Sequence, residues 1–478
     1  MAFRGSASFL RALPTHSRIM GGMSKKKNTQ RKRQVAQQQK PFAFKEDYDV
    51  VIVGAGASGL ACAVACLEKA QGQHGDTPRI LIVDQGKRIG SSILRSGNGR
   101  CNFSNAQLQV ERYWNGAFVS RALGALGNTG ASPITSWFEH LGLVWSEAPG
   151  SNGLLYPFSN KAASVLEVLT AALPANAVDL HTCVRAFAVR RAGSGFEVQL
   201  EEALSSVPRG GAAAQGGFAG DAPGKPKRAT VKAACVVMAT GGASGNLVSG
   251  MRDELLAPWA PTLGPLAAEF PEGVSGEALD GIRCQAGISL ADGSFSEEGE
   301  VLFRCYGISG IVVFNASRYA EAGSMMLVDF LPAKIPDETL EMMRSRVSCH
   351  EGQPAQTLFQ GFMLPELGSA VLSAAGIGPS ETVRQDMAEP IAWALKRFPL
   401  KVRGIADEKQ CQVHRGGVKP CAVRAETLEL KGQPGLYVLG EALDVDGPCG
   451  GYNLHWAWAC GILAGNDIAQ NLMKGQPC

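Results

Sequence analysis

The stretch from Tyr48 to Gly59, YDVVIVGAGASG, constrains this chain more than any other. Val50 to Val53 is a short, apolar, β-branched run, which predicts a strand buried on both faces. It runs directly into Gly54-Ala55-Gly56-Ala57-Ser58-Gly59 and then into an Ala-rich, helix-favouring segment. Glycine is called for three times and for three reasons: Gly54 for the tight turn, Gly56 for close approach of the backbone to a pyrophosphate, and Gly59 for helix–strand packing. Phosphates then rest on the free N–H groups of the helix N-terminus. With 58 glycines in 478 residues a lone GxGxxG says little, so the next strand matters. Ile80 to Val83 ends on Asp84-Gln85, an acidic side chain placed to take ribose hydroxyls. Its distance from the glycines exceeds the usual ~20 residues because the polar segment 71–78 lengthens the helix–strand loop.

The charge is unevenly placed. Residues 1–45 hold eleven Lys or Arg and no acid, leaving 35 basic against 43 acidic residues, a net −8, in the remainder. Such a tail, with Lys25 to Gln34 reading KKKNTQRKRQ, has little to bury and is expected to be disordered. Three readings fit it: an upstream extension of the true start, a transit peptide, or a nucleic-acid-binding arm. Despite this tail, nucleic acid is not expected as a partner. No apolar run reaches the ~18 residues of a membrane span. Thirteen scattered cysteines with no CxxC pair and no metal-ligand spacing point to a reduced, cytoplasmic setting with mostly buried thiols and no metal.

Beyond Asp84, the segment 88–105 alternates glycines with small polar residues and reads as a cofactor-wrapping loop. Val184–Val189, Phe196–Leu200 and Thr230–Val237 predict a meander, with 205–228 as an exposed Gly/Ala/Pro-rich insertion. Cys235 to Gly242 predicts a strand ending in Ala-Thr240-Gly241-Gly242. Short β-like runs follow at Gly287–Leu290, Glu300–Phe303, Gly310–Phe314 and Met325–Leu331, then a mostly helical stretch. The strand and turn of 435–447 lead to Gly450-Gly451-Tyr452-Asn453-Leu454, with Asn453 expected to cap a last helix running to about Lys474.

Five motifs in one order, VIVGAGASG, SGNGRCNFSN, ATGG, YGISG and GEALDVDGPCGGYNLHWAWACG, resemble the BaiN-like (YhiN-type) NAD(P)/FAD-dependent flavoproteins, which include bile-acid C=C reductases acting on 3-oxo-Δ4,6 steroids. The resemblance spans about Tyr48 to Gly465. It implies an α/β fold: a Rossmann-like FAD-binding domain of the two-dinucleotide-fold type (46–262 and 425–478), an inserted β-barrel-like domain (263–334 and 402–424) and a small helical insert (335–401). The implied FAD contacts are Gly54, Ala55, Gly56, Ala57, Ser58, Gly59, Asp84 and Gln85 at the ADP half. Gly99, Arg100, Cys101, Asn102, Thr240, Gly241 and Gly242 are implied along the cofactor, and Gly440, Glu441, Asp446, Gly450, Gly451, Tyr452, Asn453 and Leu454 toward the flavin. The chain departs from the family at Asn98, where SGGGRCN is usual, and at His455, where Gln is common.

With no second GxGxxG after a strand, NAD(P)H is expected as a transient electron donor. Reducing an activated C=C bond in a small molecule requires an oxyanion donor or acid. Arg304, Tyr306, His414, Arg415 and His455 have suitable chemistry, and Tyr306, His414 and His455 are the catalytic candidates. An amine or amino-ketone oxidase passing electrons to oxygen is the alternative.

Overall fold

The computed structural model describes residues 41–72, 76–203, 226–243 and 252–474. The basic tail as far as residue 40 and positions 205–225 of the expected insertion lie outside these. Strand β1 (Asp47–Val53) has Val50, Val51 and Ile52 fully buried, as its unbroken apolar run requires. Helix α1 (Ala57–Gln71) returns the chain to β2 (Ile80–Asp84), parallel to β1, and β3 (Val178–Thr182) extends the sheet outward from β2. The meander follows: β4 (Val184–Ala192) and β5 (Gly195–Glu202) fold back antiparallel onto β6 (Arg228–Met238), which lies parallel to the other edge of β1.

The chain then leaves this sheet. After β7 (Leu256–Thr262) comes a closed six-stranded barrel of β8 (Leu266–Glu269), β9 (Arg283–Leu290), β10 (Ser296–Arg304), β11 (Gly307–Ser309), β12 (Met325–Asp329) and β13 (Phe398–Ile405), paired in the order β8-β11-β10-β9-β12-β13 and closing on β8. Inward residues alternate along β9, where Ala286, Ile288 and Leu290 are buried. Short helix α2 (Ile311–Ala316) follows β11. Helices α3 (Pro336–Cys349), α4 (Pro365–Ala374) and α5 (Ala388–Lys396) interrupt the barrel between β12 and β13, and bury Met343, Val347, Val371, Ile391 and Leu395 in its core cluster.

The structure corrects three boundaries. The closing strand β13 begins at Phe398, inside the stretch expected to belong to the helical insert. Strand β14 (Val413–Val418), expected in the barrel, pairs instead with β7 in a two-stranded ribbon. Gly310–Phe314, expected as strand, is helical from Ile311, because Gly310 at φ +117° turns the chain where a Cβ would lie 2.5 Å from the Glu300 carbonyl.

The last segments rejoin the first sheet. Strand β15 (Leu436–Val438) pairs with Val236–Met238 on the edge of β6 that β5 occupies lower down. Helix α6 (Tyr452–Met473) crosses α1 at close range: a Cβ on Gly461 would lie 2.6 Å from the Ser58 carbonyl, and one on Gly465 2.5 Å from that of Cys62. Among the described residues no helix is long and apolar enough to cross a membrane.

Candidate active site

The parallel strands β2, β1, β6 and β15 end side by side at Asp84, Val53, Met238 and Val438. Strand order reverses at β1, with β2 added on one side and β6 on the other, the switch point where open α/β sheets bind ligands. Gly54 and Gly56 serve different ends there. Gly54 has φ +114°, and a Cβ on it would lie 2.1 Å from the Ala239 carbonyl, so the fold itself demands glycine. Gly56 has φ −85°, and a Cβ would meet only Ser92 Oγ at 3.4 Å, an ordinary contact. No packing within the protein requires its bareness, which suits an approaching ligand. Gly56 is also the N-cap of α1, offers no side-chain oxygen, and is followed by a first turn without acids. The turn's N–H groups and the positive helix end are thus available to an anion.

Asp84 is pinned beside them: Oδ2 accepts from the Ala55 N–H (2.8 Å) and Oδ1 from that of Gly86 (2.7 Å). Ala55, Ala57, Ser58 and Gly59 are buried, whereas Gln85 is exposed. This cradle fits the phosphates and ribose of an adenine dinucleotide.

A second uncapped helix end is that of the last helix. Helix α6 begins at Tyr452, after Gly450 (φ +114°) and its N-cap Gly451 (φ +94°), with no acid in the first turn. Asn453 does not cap it, against expectation. Its Oδ1 accepts from the Gly447 N–H and its Nδ2 donates to the Gly447 carbonyl, both at 2.8 Å, closing the turn that precedes the helix. Asn102 stands against this turn: a Cβ on Gly451 would lie 3.0 Å from Asn102 Oδ1 and 2.3 Å from the Ser104 carbonyl. Asn102 Oδ1, Thr240 Oγ1 and His455 Nε2 are buried without a protein partner. Such atoms are rare in folded proteins, and FAD, with its ribityl hydroxyls and ring heteroatoms, offers groups of the kind they lack.

His455 Nδ1 shares a 2.9 Å hydrogen bond with Ser104 Oγ, and burial pushes its pKa down to about 3. It is therefore neutral throughout the working range, which argues against a role as general acid. The unfolded chain takes up this proton below about pH 6.5 and the folded one only near 3. Stability is consequently present above 6.5 and is lost as pH falls. Between pH 6 and 4 the His455 contribution should decline by about 1.4 kcal/mol per unit. Denaturant unfolding at both pH values should show a shallower decline for His455→Gln than for the parent.

Two neighbours on β14 are each held by an acid from the 440–447 loop and each covered by an exposed tryptophan. Glu441 Oε1 accepts from the His414 backbone N–H (2.8 Å) and lies 3.2 Å from its Nδ1. Trp259 stacks on that imidazole, with centroids 3.9 Å apart and planes 9° apart. Gly242 completes the group, since a Cβ there would lie within 2.8 Å of the His414, Glu441 and Trp259 side chains. Next along the strand, Arg415 lies 4.2 Å over the Trp114 ring and donates to both oxygens of Asp446 at 2.7 and 3.1 Å. Arg318, from the turn after α2, donates to Asp446 Oδ1 at 2.6 Å. Asp446, expected at the flavin, is instead fully buried between two guanidinium groups.

Other expectations shift as well. Tyr306 sits half-buried at the β10–β11 turn, its ring 5.8 Å beneath the Arg304 guanidinium, itself paired with Asp280; among the described residues no hydrogen bond or ring contact joins it to His414 or His455. Tyr452 is buried against Tyr113; the buried Cys101 thiol and the half-buried Cys449 thiol are both pushed up to about 12, so neither cysteine is a ready nucleophile. Arg100 is exposed and lies over Tyr156. Gly440 (φ +60°) abuts Ser58, and Leu454 is half-buried. Of the described cysteines, eleven are free, but only Cys62, Cys66, Cys101 and Cys460 among these are buried. Trp114, Trp259 and Arg318 were not foreseen; none lies in a motif, and no sequence signal marks their place beside Asp446 and His414.

The family profile described as HI0933-like protein Rossmann domain matches residues 48–467. The chain is 30% identical over 440 residues to the 3-dehydro-bile acid delta(4,6)-reductase of Clostridium scindens, covering 88% of this chain and 98% of that one. It is 26% identical over 439 residues to the ribosomal RNA dihydrouridine synthase of Escherichia coli, with the same coverages. A flavocytochrome c3 fumarate reductase in its open conformation superposes with a TM-score of 0.41 at 15% identity, covering 94% of this chain and 81% of that one.

Proposed function

The chain belongs to the HI0933-like family of Rossmann-domain proteins, and from that premise we propose that it reduces a C=C bond conjugated to a carbonyl, with NAD(P)H as a transient electron donor and a hydrophobic small molecule such as a 3-oxo-Δ4,6 steroid as substrate. It is an FAD-dependent oxidoreductase. FAD, when bound, supplies the hydride chemistry. The protein's share is to hold the pyrophosphate at Gly56 and the α1 N-terminus, to hold the ribose at Asp84, and to aim the positive end of α6 at the ring, where negative charge develops on reduction.

The observation that supports this reading best is the similarity to a delta(4,6)-reductase over 98% of that protein's length. A second reading takes uridine in RNA as the substrate, favoured by the match to a ribosomal RNA dihydrouridine synthase. Its chemistry is of the same class, because the uracil C5=C6 bond is conjugated to the C4 carbonyl. Eleven free thiols among the described residues support a reducing compartment, the cytoplasm in this proposal.

The test is an anaerobic spectrum of the purified holoprotein. NADH or NADPH should bleach the flavin band, and a 3-oxo-Δ4 steroid or a uridine-containing ribosomal RNA transcript should restore it, which distinguishes the two substrates. Recovery with oxygen alone, after bleaching by an amine, would replace the reductase reading with the oxidase one.

A further inference from the structure

We propose that His414 is the proton donor of the C=C reduction and that Glu441 is its positioning residue. The assignment rests on the C=C-reduction reading above. Two sides of the imidazole are accounted for: its ring face is covered by Trp259 and its Nδ1 edge is closed by Glu441, whose same carboxylate oxygen also accepts from the His414 backbone N–H. Among the described residues nothing bonds Nε2, and this nitrogen is not one of the buried unpartnered atoms. The side chain is 28% exposed, so Nε2 is its open reactive edge.

The location is also suitable. Gly242, at the carboxyl end of β6 beside the dinucleotide crevice, would touch His414 Cβ at 2.7 Å if it carried a Cβ of its own. Of the three catalytic candidates, His455 is held neutral by burial and Tyr306 lies on the barrel turn. His414 alone combines an open nitrogen, a carboxylate that fixes its tautomer and a place at the crevice.

The step balances. FAD, when bound, would supply a hydride equivalent, renewed by NAD(P)H, to the carbon β to the carbonyl. The π pair moves onto the carbonyl oxygen as an enolate. As the enolate collapses, the imidazolium gives its Nε2 proton to the α carbon, forming the second C–H bond and leaving the neutral tautomer whose Nδ1–H still donates to Glu441. The proton is replaced from solvent.

The experiment follows both half-reactions of the FAD-loaded protein by stopped flow, with NADPH and then a 3-oxo-Δ4 steroid. His414→Ala should keep its bound-flavin absorbance and still bleach with NADPH, but should be reoxidised by the enone about 10²–10⁴-fold more slowly. Added imidazole should restore part of that rate. Glu441→Gln should slow the same half-reaction, and Glu441→Asp should recover some of it. Reoxidation of His414→Ala at the parent rate would overturn the proposal, as would a loss in both half-reactions that imidazole does not repair. Failure of the parent holoprotein to be reoxidised by any enone or uridine would instead sink the C=C reading itself.

Discussion

Replacing Asp446 by asparagine is expected to lower the folding stability of the protein by about 3–5 kcal/mol, the range measured when one partner of a buried ion pair is removed. Asp446 has no exposed surface, Arg318 keeps 3% of its side chain exposed and Arg415 21%. Asparagine retains the shape but not the charge, so two guanidinium groups that share one carboxylate would be left in low dielectric without it. The three side chains come from three places: the turn after α2, the β7–β14 ribbon, and the loop between β15 and α6. The loss should therefore be global and should loosen the cofactor loop as well. Urea unfolding followed by tryptophan fluorescence, with flavin release recorded in parallel, measures both. An unfolding free energy within about 0.5 kcal/mol of the parent would show that the ion cluster is not the tie we describe.

The second large effect separates two glycines two residues apart. Gly54→Ala should fail to fold or lose several kcal/mol, since its φ of +114° is strained for alanine and its Cβ would overlap the Ala239 carbonyl at 2.1 Å. Gly56→Ala should fold with a melting temperature near that of the parent when both are free of flavin, because its Cβ meets only Ser92 Oγ at 3.4 Å. It should nevertheless bind FAD at least tenfold more weakly, a difference of about 1.4 kcal/mol. Flavin fluorescence titration alongside thermal melts reads the two apart. Tight FAD binding by Gly56→Ala would mean that the pyrophosphate does not approach the backbone there.

How far each feature was legible depended on whether it is local. The strand, glycine turn and helix at 47–71 follow from apolar periodicity and from backbone constraints that act within a few residues, and the meander of β4, β5 and β6 is equally local. The β7–β14 ribbon was missed because Pro258 and Pro261 disqualify a strand on sequence grounds; the register breaks between Ala257 and Ala260, which lets the segment pair despite them. At the site, positions could be named but not partners. Glu441 was read as a cofactor contact, although its carboxylate is shared with His414 across 27 residues of chain. Asp446 was read the same way, although Arg318, 128 residues away, decides its environment. Pairing of this kind belongs to tertiary structure, and no spacing rule encodes it.

The return of β15 and α6 to a sheet begun nearly four hundred residues earlier bears on how the chain is made. During synthesis β1, α1 and β2 emerge first, yet the face of α1 that receives Gly461 and Gly465 stays uncovered until the barrel and its helices have followed. The barrel, whose strands all lie between residues 266 and 405, can close while that half waits. Long-range closure of this kind is slow and leaves apolar surface open to misassembly. The nascent amino-terminal half is therefore the part of this protein with most need of a chaperone.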